Sequence, residues 1–502
     1  MMSLPNECLF EILAYLKDQP KNLFSCLFVN RLWCKNVIPI LWKELDIFKN
    51  RKLVRTCLLT LDTKEKTQLL PFEIRFPNGP KPLFEYTTYT TVIKINSDSW
   101  ILGDGVTEWY NYEGRGYNRP FDIDVDRYMI QAIKTSLIMK FLQTEKNGQI
   151  SKKISNLCIF GGATNLLAKI LDNCITLTSL SIMNNWFDSK AVEALSRAIN
   201  KNIVLTSLEL NKNQLGLEGV KALAEILYNN TTLISLKLCV NQFNSEEEKI
   251  LISNLCKNTT LIYLELINNN LGSSTGKVLA KSLHKNITLT HLDLSDNYLQ
   301  FEGGRALSEA LYVNTTLTHL YLQNNFIGSE GGKLMALALQ KNKSLTHLNL
   351  SENGLGPDGG QALADALYNN NSLKHLFLWK NQLGFDGGKA LAEVLYRNHT
   401  LTCLNINDNQ LGSEAGQAFG VALEVNNGLT SLFLCGNNLN SDVGKILATA
   451  LYTNKTLTHL HLGNNQIGPE GEIAFKFVKD RSKNTTIIHF ELSCNNIDDY
   501  SL

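Results

Sequence analysis

His291, His319, His347 and His375 stand 28 residues apart, and His459 and His489 repeat the residue type further along the chain. Imidazoles arranged this way suit two kinds of chemistry, transition-metal ligation and proton exchange near neutral pH. A metal needs its ligands about 2.0 to 2.1 Å from one centre, whereas four side chains on successive strands span roughly 14 Å. The four therefore cannot share one ion, although a neighbouring pair could. Protonating the whole row would set like charges side by side, which makes an acid-sensitive surface the functional expectation. The plainer alternative is that the row records the copying of one ancestral unit.

Asparagines follow the same spacing, from Asn185 to Asn465, with a last one at Asn495. Each lies between two apolar positions, so its amide is expected to turn inward and hydrogen-bond loop backbone between neighbouring turns. The sequence contains no G-x-x-x-x-G-K-[ST], H-E-x-x-H or G-x-S-x-G. No catalytic residue, metal ligand or cofactor is therefore assigned, and the chain is read as no enzyme.

The element that must position these residues is a 28-residue unit, clear at Leu317 to Ser344. Its opening leucine recurs at that interval from Leu177 to Leu457. Further apolar residues follow three, five and ten places on, with Asn at eight, as in Leu345, Leu348, Leu350, Asn353 and Leu355. The L-x-L alternation predicts a short strand, and Gly359 to Tyr368 predicts a helix with an apolar stripe of Ala362, Leu363, Ala366 and Leu367. Gly356, Gly359 and Gly360 suit a turn with unusual backbone angles or a close approach. One unit cannot bury both its faces, so neighbours must stack. Strands about 4.8 Å apart beside helices roughly 8 to 10 Å apart bend the stack, with the strands inside.

The pattern L-x-x-L-x-L-x-x-N-x-L resembles the leucine-rich repeat, and over about 350 residues the series resembles its ribonuclease-inhibitor-like class. The resemblance implies an α/β fold, a horseshoe solenoid of about 13 repeats with a parallel sheet inside and helices outside. Its concave arc would be on the order of 60 Å long. Strand alternation sends the side chains two, four and six places after each opening leucine to that concave face. There stand Tyr263, Tyr321, Phe377, Trp379 and Phe433, beside Glu209, Glu265, Asp293 and Lys237. Aromatics with no core role anchor interfaces, so these five are the candidate substrate-binding residues. The alternative for Phe377 and Trp379 is stacking on adjacent turns.

A chain of 502 residues exceeds one compact core. Its net charge of +1 gives no electrostatic reason to expect nucleic acid or an anionic membrane as partner. Eleven cysteines without a C-x-x-C pair read as reduced thiols. The absence of a signal-like start or of an 18-residue apolar run leads to an expectation of a cytoplasmic and/or nuclear protein. Sequons at Asn230, Asn258, Asn286, Asn314, Asn342, Asn398, Asn454 and Asn484 share one place in the repeat and are read as turn chemistry.

Residues Leu4 to Trp42 are apolar and helix-rich, with Leu9, Ile12, Leu13 and Leu16 on one helical face and Leu23, Leu27 and Trp33 in a second helix. This stretch resembles the F-box. Leu4-Pro5 and Glu7 stand in its opening, Ile12 and Leu16 in its first helix, Val29-Asn30-Arg31 and Trp33 in its V-x-R-x-W core, and Leu41-Trp42 at its close. Asn30 departs from the cysteine often found there and is similar to the fungal F-box/LRR type. The resemblance implies docking on a Skp-type adaptor of a cullin-RING ubiquitin ligase through Leu4, Pro5, Ile12, Leu16 and Val29, with Trp33 partly structural. The alternative is a small cap packed on the solenoid.

Three domains are expected: an F-box at 1–45, a connector and N-terminal cap at 46–150, and the solenoid at 151–502. Within the connector, Lys43 to Leu70 reads as helical, Thr90 to Asn96 as a strand, Asp98 to Phe121 as an exposed loop and Asp124 to Thr144 as a capping helix. The function expected is that of the substrate-recognition subunit of an SCF-type ligase, holding a protein substrate on the concave face. Two alternatives stay open, a ligase-independent binding or sensing module and an enzyme inhibitor of the ribonuclease-inhibitor type.

Overall fold

The computed structural model describes residues 204–481 apart from 256, residues 489–493, and, with gaps, residues 6–46, 51–95, 105–115, 129–160 and 177–201. The chain forms two compact units, Met1–Ile226 and Leu227–Leu502.

The first unit opens with three helices, α1 (Asn6–Leu16), α2 (Pro20–Cys26) and α3 (Arg31–Leu41). Leu9, Leu13, Leu23 and Val37 make their core, and Leu16, Cys26, Trp33, Ile40 and Leu41 pack against it. The i, i+4 pair Leu9 and Leu13 fixes which side of α1 turns inward. Ile12, expected on that same face, instead stays exposed, because a stripe one residue wide suffices for so small a core.

A parallel sheet begins directly afterwards. Glu44–Asp46 pairs with Val92–Ile95, which pairs with Asn156–Phe160, then Ser179–Met183 and Ser207–Glu209. The strand at Val92–Ile95 was expected. Glu44–Asp46 corrects the helical reading of Lys43 to Leu70, which among the described residues holds for the helices Arg51–Thr60 and Thr63–Thr67. The second of these starts with a reciprocal cap: Glu65 N donates to Asp62 Oδ1 (2.9 Å) and Asp62 N to Glu65 Oε2 (2.6 Å). Lys140 Nζ reaches the same carboxylate at 2.9 Å.

The exposed loop expected at Asp98 to Phe121 is corrected over 105–115, the part of it that is described. Gly105–Trp109 is helical, Tyr110–Gly114 continues as a π-helix, and both Trp109 and Tyr110 are buried. Tyr110 Oη lies 2.8 Å from Met129 Sδ, and Arg55 Nε 3.2 Å from Glu113. Two large rings free of charge form a local core, which outweighs the glycines and polar residues around them. Helical residues follow at 129–140, with Met129, Ile133 and Leu137 buried as expected. Phe141 and Ile154 lie outside the described residues.

The second unit is the regular part. Strands of three residues run from Ser235–Lys237 to His489–Glu491, each parallel to the next in strict register, so that His291, His319, His347 and His375 align. Adjacent helices, such as Gly328–Lys341, Gly356–Asn369 and Gly384–Val394, pack side by side. The α/β solenoid read from the repeat is the fold of this unit. On the helix Gly356–Asn369 the buried face is Gly359, Gly360, Leu363, Ala364, Ala366 and Leu367, wider than the stripe expected, with Ala362 only half-buried. The face widens because each helix touches the strand layer and a helix on either flank.

Glycines set the helix spacing. A Cβ on Gly360 would stand 3.0 Å from the Gly387 Cα, and one on Gly276 only 2.8 Å from the Gly303 Cα. Gly356 does the other work foreseen for these residues, adopting φ +64° with nothing near its missing side chain.

Candidate functional site

Two ladders of buried amides hold the turns in register. In the ladder at the end of each strand, Asn353 Nδ2 donates to Leu322 O (2.8 Å), 31 residues back, while its Oδ1 accepts from Asn325 N (3.0 Å) and Ile327 N (3.2 Å). The pattern repeats at Asn297, Asn325, Asn381, Asn409, Asn437 and Asn465. In the second ladder, at the turn after each helix, Asn314 Nδ2 donates to Leu283 O (2.7 Å) and Oδ1 accepts from Thr316 N and Leu317 N. These are the sequon asparagines, and their turn role stands. Asn370 and Asn426 belong to the same ladder. Asn185, Asn484 and Asn495 lie outside the described residues.

With the amides committed to backbone, the side chains available for recognition are those on the open face of the sheet. Tyr263, Tyr321, Phe377 and Phe433 stand there on their strands, and Trp379 just beyond; all five are half-buried between leucines that point inward. Phe433 stacks on His461 at 4.5 Å. Trp379 Nε1 donates to Asp408 Oδ2 at 2.6 Å, and Lys380 Nζ sits 4.3 Å from its ring centre. Neither Asp408 nor His461 was marked by sequence reading, because both belong to a neighbouring turn, 29 and 28 residues on.

Towards the start of the unit the same face is acidic. Glu265 and Asp293 are directly paired in register, followed by Tyr321. Lys237 Nζ is 3.1 Å from Glu265 and 5.1 Å from the Tyr263 ring, and Tyr263 Oη donates to the Glu265 carboxylate. Burial, helped by Glu265 and Asp296, holds the Asp293 carboxyl above the usual range, against the Ser295 hydrogen bonds that lower it. Burial and the carboxylates also raise the Tyr263 and Tyr321 phenols.

The four histidines form a column of nearly parallel rings with centres 3.8, 3.9 and 4.0 Å apart. In His291, His319 and His347 the Nδ1 meets the hydroxyl of the preceding threonine, as for His319 with Thr318 and His347 with Thr346, both at 2.8 Å. Those hydroxyls donate to carbonyls of the previous turn, at 3.0 Å in both cases. A hydroxyl has one proton, so Nδ1–H donates to the threonine and Nε2 is the accepting nitrogen. His375 has Lys374 in the threonine's place.

Burial lowers all four imidazoles, and neighbouring rings lower His319 and His347 further, the latter to about 4. The acid response expected of this row is thereby moved to more acidic pH than an ordinary imidazole gives. Stacked rings whose Nδ1 atoms are held by the threonines set their Nε2 atoms side by side and not facing one centre. Among the described residues no group of three His, Cys, Asp or Glu could hold a metal ion.

At the other end of the chain, the small helical core leaves Ile12 (38%), Tyr15 (79%), Val29 (56%) and Leu32 (40%) exposed. Ile12 and Val29 are residues for which the F-box resemblance implies contact. Leu16 and Trp33 are half-buried against the core, so for both packing is part of their role. Leu4 and Pro5 lie outside the described residues. Tyr15 and Leu32 were missed, although Tyr15 lies three residues after Ile12 and so shares its side of α1.

Residues 1–48 match the F-box-like family model. Residues 173–196, 201–224, 285–308, 313–336, 341–364, 397–420, 453–475 and 483–500 match the leucine-rich repeat model. The chain carries an F-box-like segment followed by leucine-rich repeats. That pairing points to an F-box/LRR substrate-recognition protein. No curated protein matches the sequence at a significant level. Solved structures with some likeness include the C-terminal domain of tropomodulin from Caenorhabditis elegans, 20% identical over 30% of this chain and 92% of that one, with a TM-score of 0.27. Actin-binding site 2 of leiomodin-1 is 25% identical over 26% and 76%, with a TM-score of 0.25. An internalin of Listeria monocytogenes is 19% identical over 69% and 84%, with a TM-score of 0.40. The solenoid is defined by the parallel register of its own strands. No helix among the described residues is long and apolar enough to cross a membrane.

Proposed function

We propose that this F-box/LRR chain is the substrate-recognition subunit of an SCF-type cullin-RING ubiquitin ligase, working in the cytoplasm and/or nucleus. Residues 1–45 dock a Skp-type adaptor, 46–150 connect and cap, and the solenoid of 151–502 holds a protein substrate on its sheet face. The observation that carries the reading is the apolar surface left over at Ile12, Tyr15, Val29 and Leu32 once Leu9, Leu13, Leu23 and Val37 have filled the helical core. Side chains of that size outside a packed core favour a partner that covers them. Leu4, Pro5 and Leu16 complete the proposed contact, with Trp33 supporting it from within.

The role needs no catalytic side chain. Holding a substrate near a conjugating enzyme raises the effective concentration of its lysines, and that proximity is the whole contribution. Tyr263, Tyr321, Phe377, Trp379 and Phe433 supply aromatic anchors for the substrate. The test is capture of a purified Skp-type adaptor by the full chain. Ile12→Asp with Val29→Asp is expected to weaken capture at least 30-fold, roughly 2 kcal/mol, while the thermal midpoint stays within about 2 °C. Capture unchanged by the double substitution, or absent in the unmodified chain, overturns the ligase assignment and favours a ligase-independent binding module.

A further inference from the structure

We propose that the sheet face of Leu227–Leu502 takes an extended peptide, one of whose side chains, an Arg or Lys, meets Glu265 and Asp293 between Tyr263 and Tyr321 while an aromatic or large apolar residue meets Phe377 and Trp379. This rests on the sheet face being the substrate surface and names the substrate class.

Charge is the first support. In register across the strands come Glu265, Asp293 and Tyr321, with Asp296 beside them. Lys237 is the cation alongside, and it is committed to Glu265. Asp293 Oδ1 accepts from Ser295 N at 2.9 Å, and among the described residues no ion pair reaches it. Burial first, and then the two carboxylates, push up the phenols of both tyrosines, which lie within the field of Glu265 and Asp293. Carboxylates beside aromatic rings, as Asp293 is beside Tyr321 in register and Glu265 is two residues from Tyr263 on its strand, are the setting in which a guanidinium or ammonium gains both an ion pair and a cation–π contact.

Spacing is the second. The same register row continues through Asn349 to Phe377, three strands beyond Asp293. Three strand spacings are roughly 14 Å, which an extended peptide running across the strands covers in four or five residues. Between the two ends lie Gln323 and Asn349, amides joined at 3.3 Å, which can meet the peptide's backbone groups. The column of neutral imidazoles flanks this row and adds no competing charge.

The experiment is selection of a displayed random-peptide library on the full chain, followed by affinity measurement of the selected peptides. Enriched sequences should carry Arg or Lys four or five residues from an aromatic or large apolar residue. Asp293→Asn should weaken them about tenfold and flatten their salt dependence, and Phe377→Ala with Trp379→Ala should weaken them at least as much, all variants unfolding at normal temperature. Peptides that lose affinity on Phe377→Ala with Trp379→Ala but ignore Asp293→Asn, or that lack a cation, overturn this inference and leave the sheet face as the substrate surface. Peptides indifferent to both substitutions, or no enrichment at all, overturn the two together.

Discussion

At the scale of single residues, buried partners set what asparagine and histidine do in the repeat. Asn353 satisfies three backbone groups of the preceding turn and is buried, so Asn353→Ala leaves the Asn325 and Ile327 amide protons unpaired and Leu322 O with its Asn325 Nδ2 bond alone; a loss of about 3 kcal/mol is expected in urea unfolding. His347 is set by burial and by its neighbours. Its folded-state pKa of about 4 lies below the ordinary imidazole value. The unfolded chain therefore binds the proton more readily, and stability that is complete above pH 6.5 falls as pH drops through 4. NMR titration should place the His347 midpoint near 4, and removing its neighbours with His319→Gln and His375→Gln should raise it. A midpoint at 6 or above would contradict the column. The presence of the histidine row was legible from spacing alone. Its protonation was not, because desolvation depends on how closely rings 28 residues apart come to lie.

At the scale of elements, backbone angles and helix contacts decide what each turn tolerates. Val240 holds φ 59°, a region costly for a β-branched residue, and the next turn places Asn268 there at φ 53°. Val240→Asn should stabilise the fold by about 0.5 to 1 kcal/mol in the same unfolding experiment. Gly356 and Gly360 are four residues apart and separate two causes. Gly356→Asn, a type that accepts the left-handed region, should be nearly neutral, whereas Gly360→Val forces a side chain against the Gly387 backbone and should cost about 3 kcal/mol. Periodicity gave strand and helix for every regular turn. It failed at Glu44–Asp46, where three residues carry no period and form a strand only because Val92–Ile95, 48 residues on, supplies the hydrogen bonds. It failed likewise at Gly105–Gly114, where burial of Trp109 and Tyr110 outweighs a polar composition.

At the scale of the whole molecule, the proposed adaptor contact and the proposed substrate face fall in different compact units. Ile12→Asp with Val29→Asp should therefore leave peptide affinity at the sheet face within twofold, and Phe377→Ala with Trp379→Ala should leave adaptor capture within twofold, so that the combined variant shows additive losses. A coupling larger than about 1 kcal/mol would mean that one unit senses occupancy of the other.

A 28-residue recurrence of leucine, asparagine and glycine is enough by itself to require stacked strand and helix layers, since no turn can cover its own apolar faces, and L-P-x-E with V-x-R-x-W is enough to mark the helical segment before them. Which apolar residues of that segment stay outside, Ile12 and Tyr15 but not Leu13, was decided only by packing, because a core of four side chains has room for one stripe of α1. The acidic centre at Glu265 and Asp293 and the stack of imidazoles were likewise made by register. Those groups are 28 residues apart in the chain and become neighbours only when parallel strands bring equal positions of successive turns side by side.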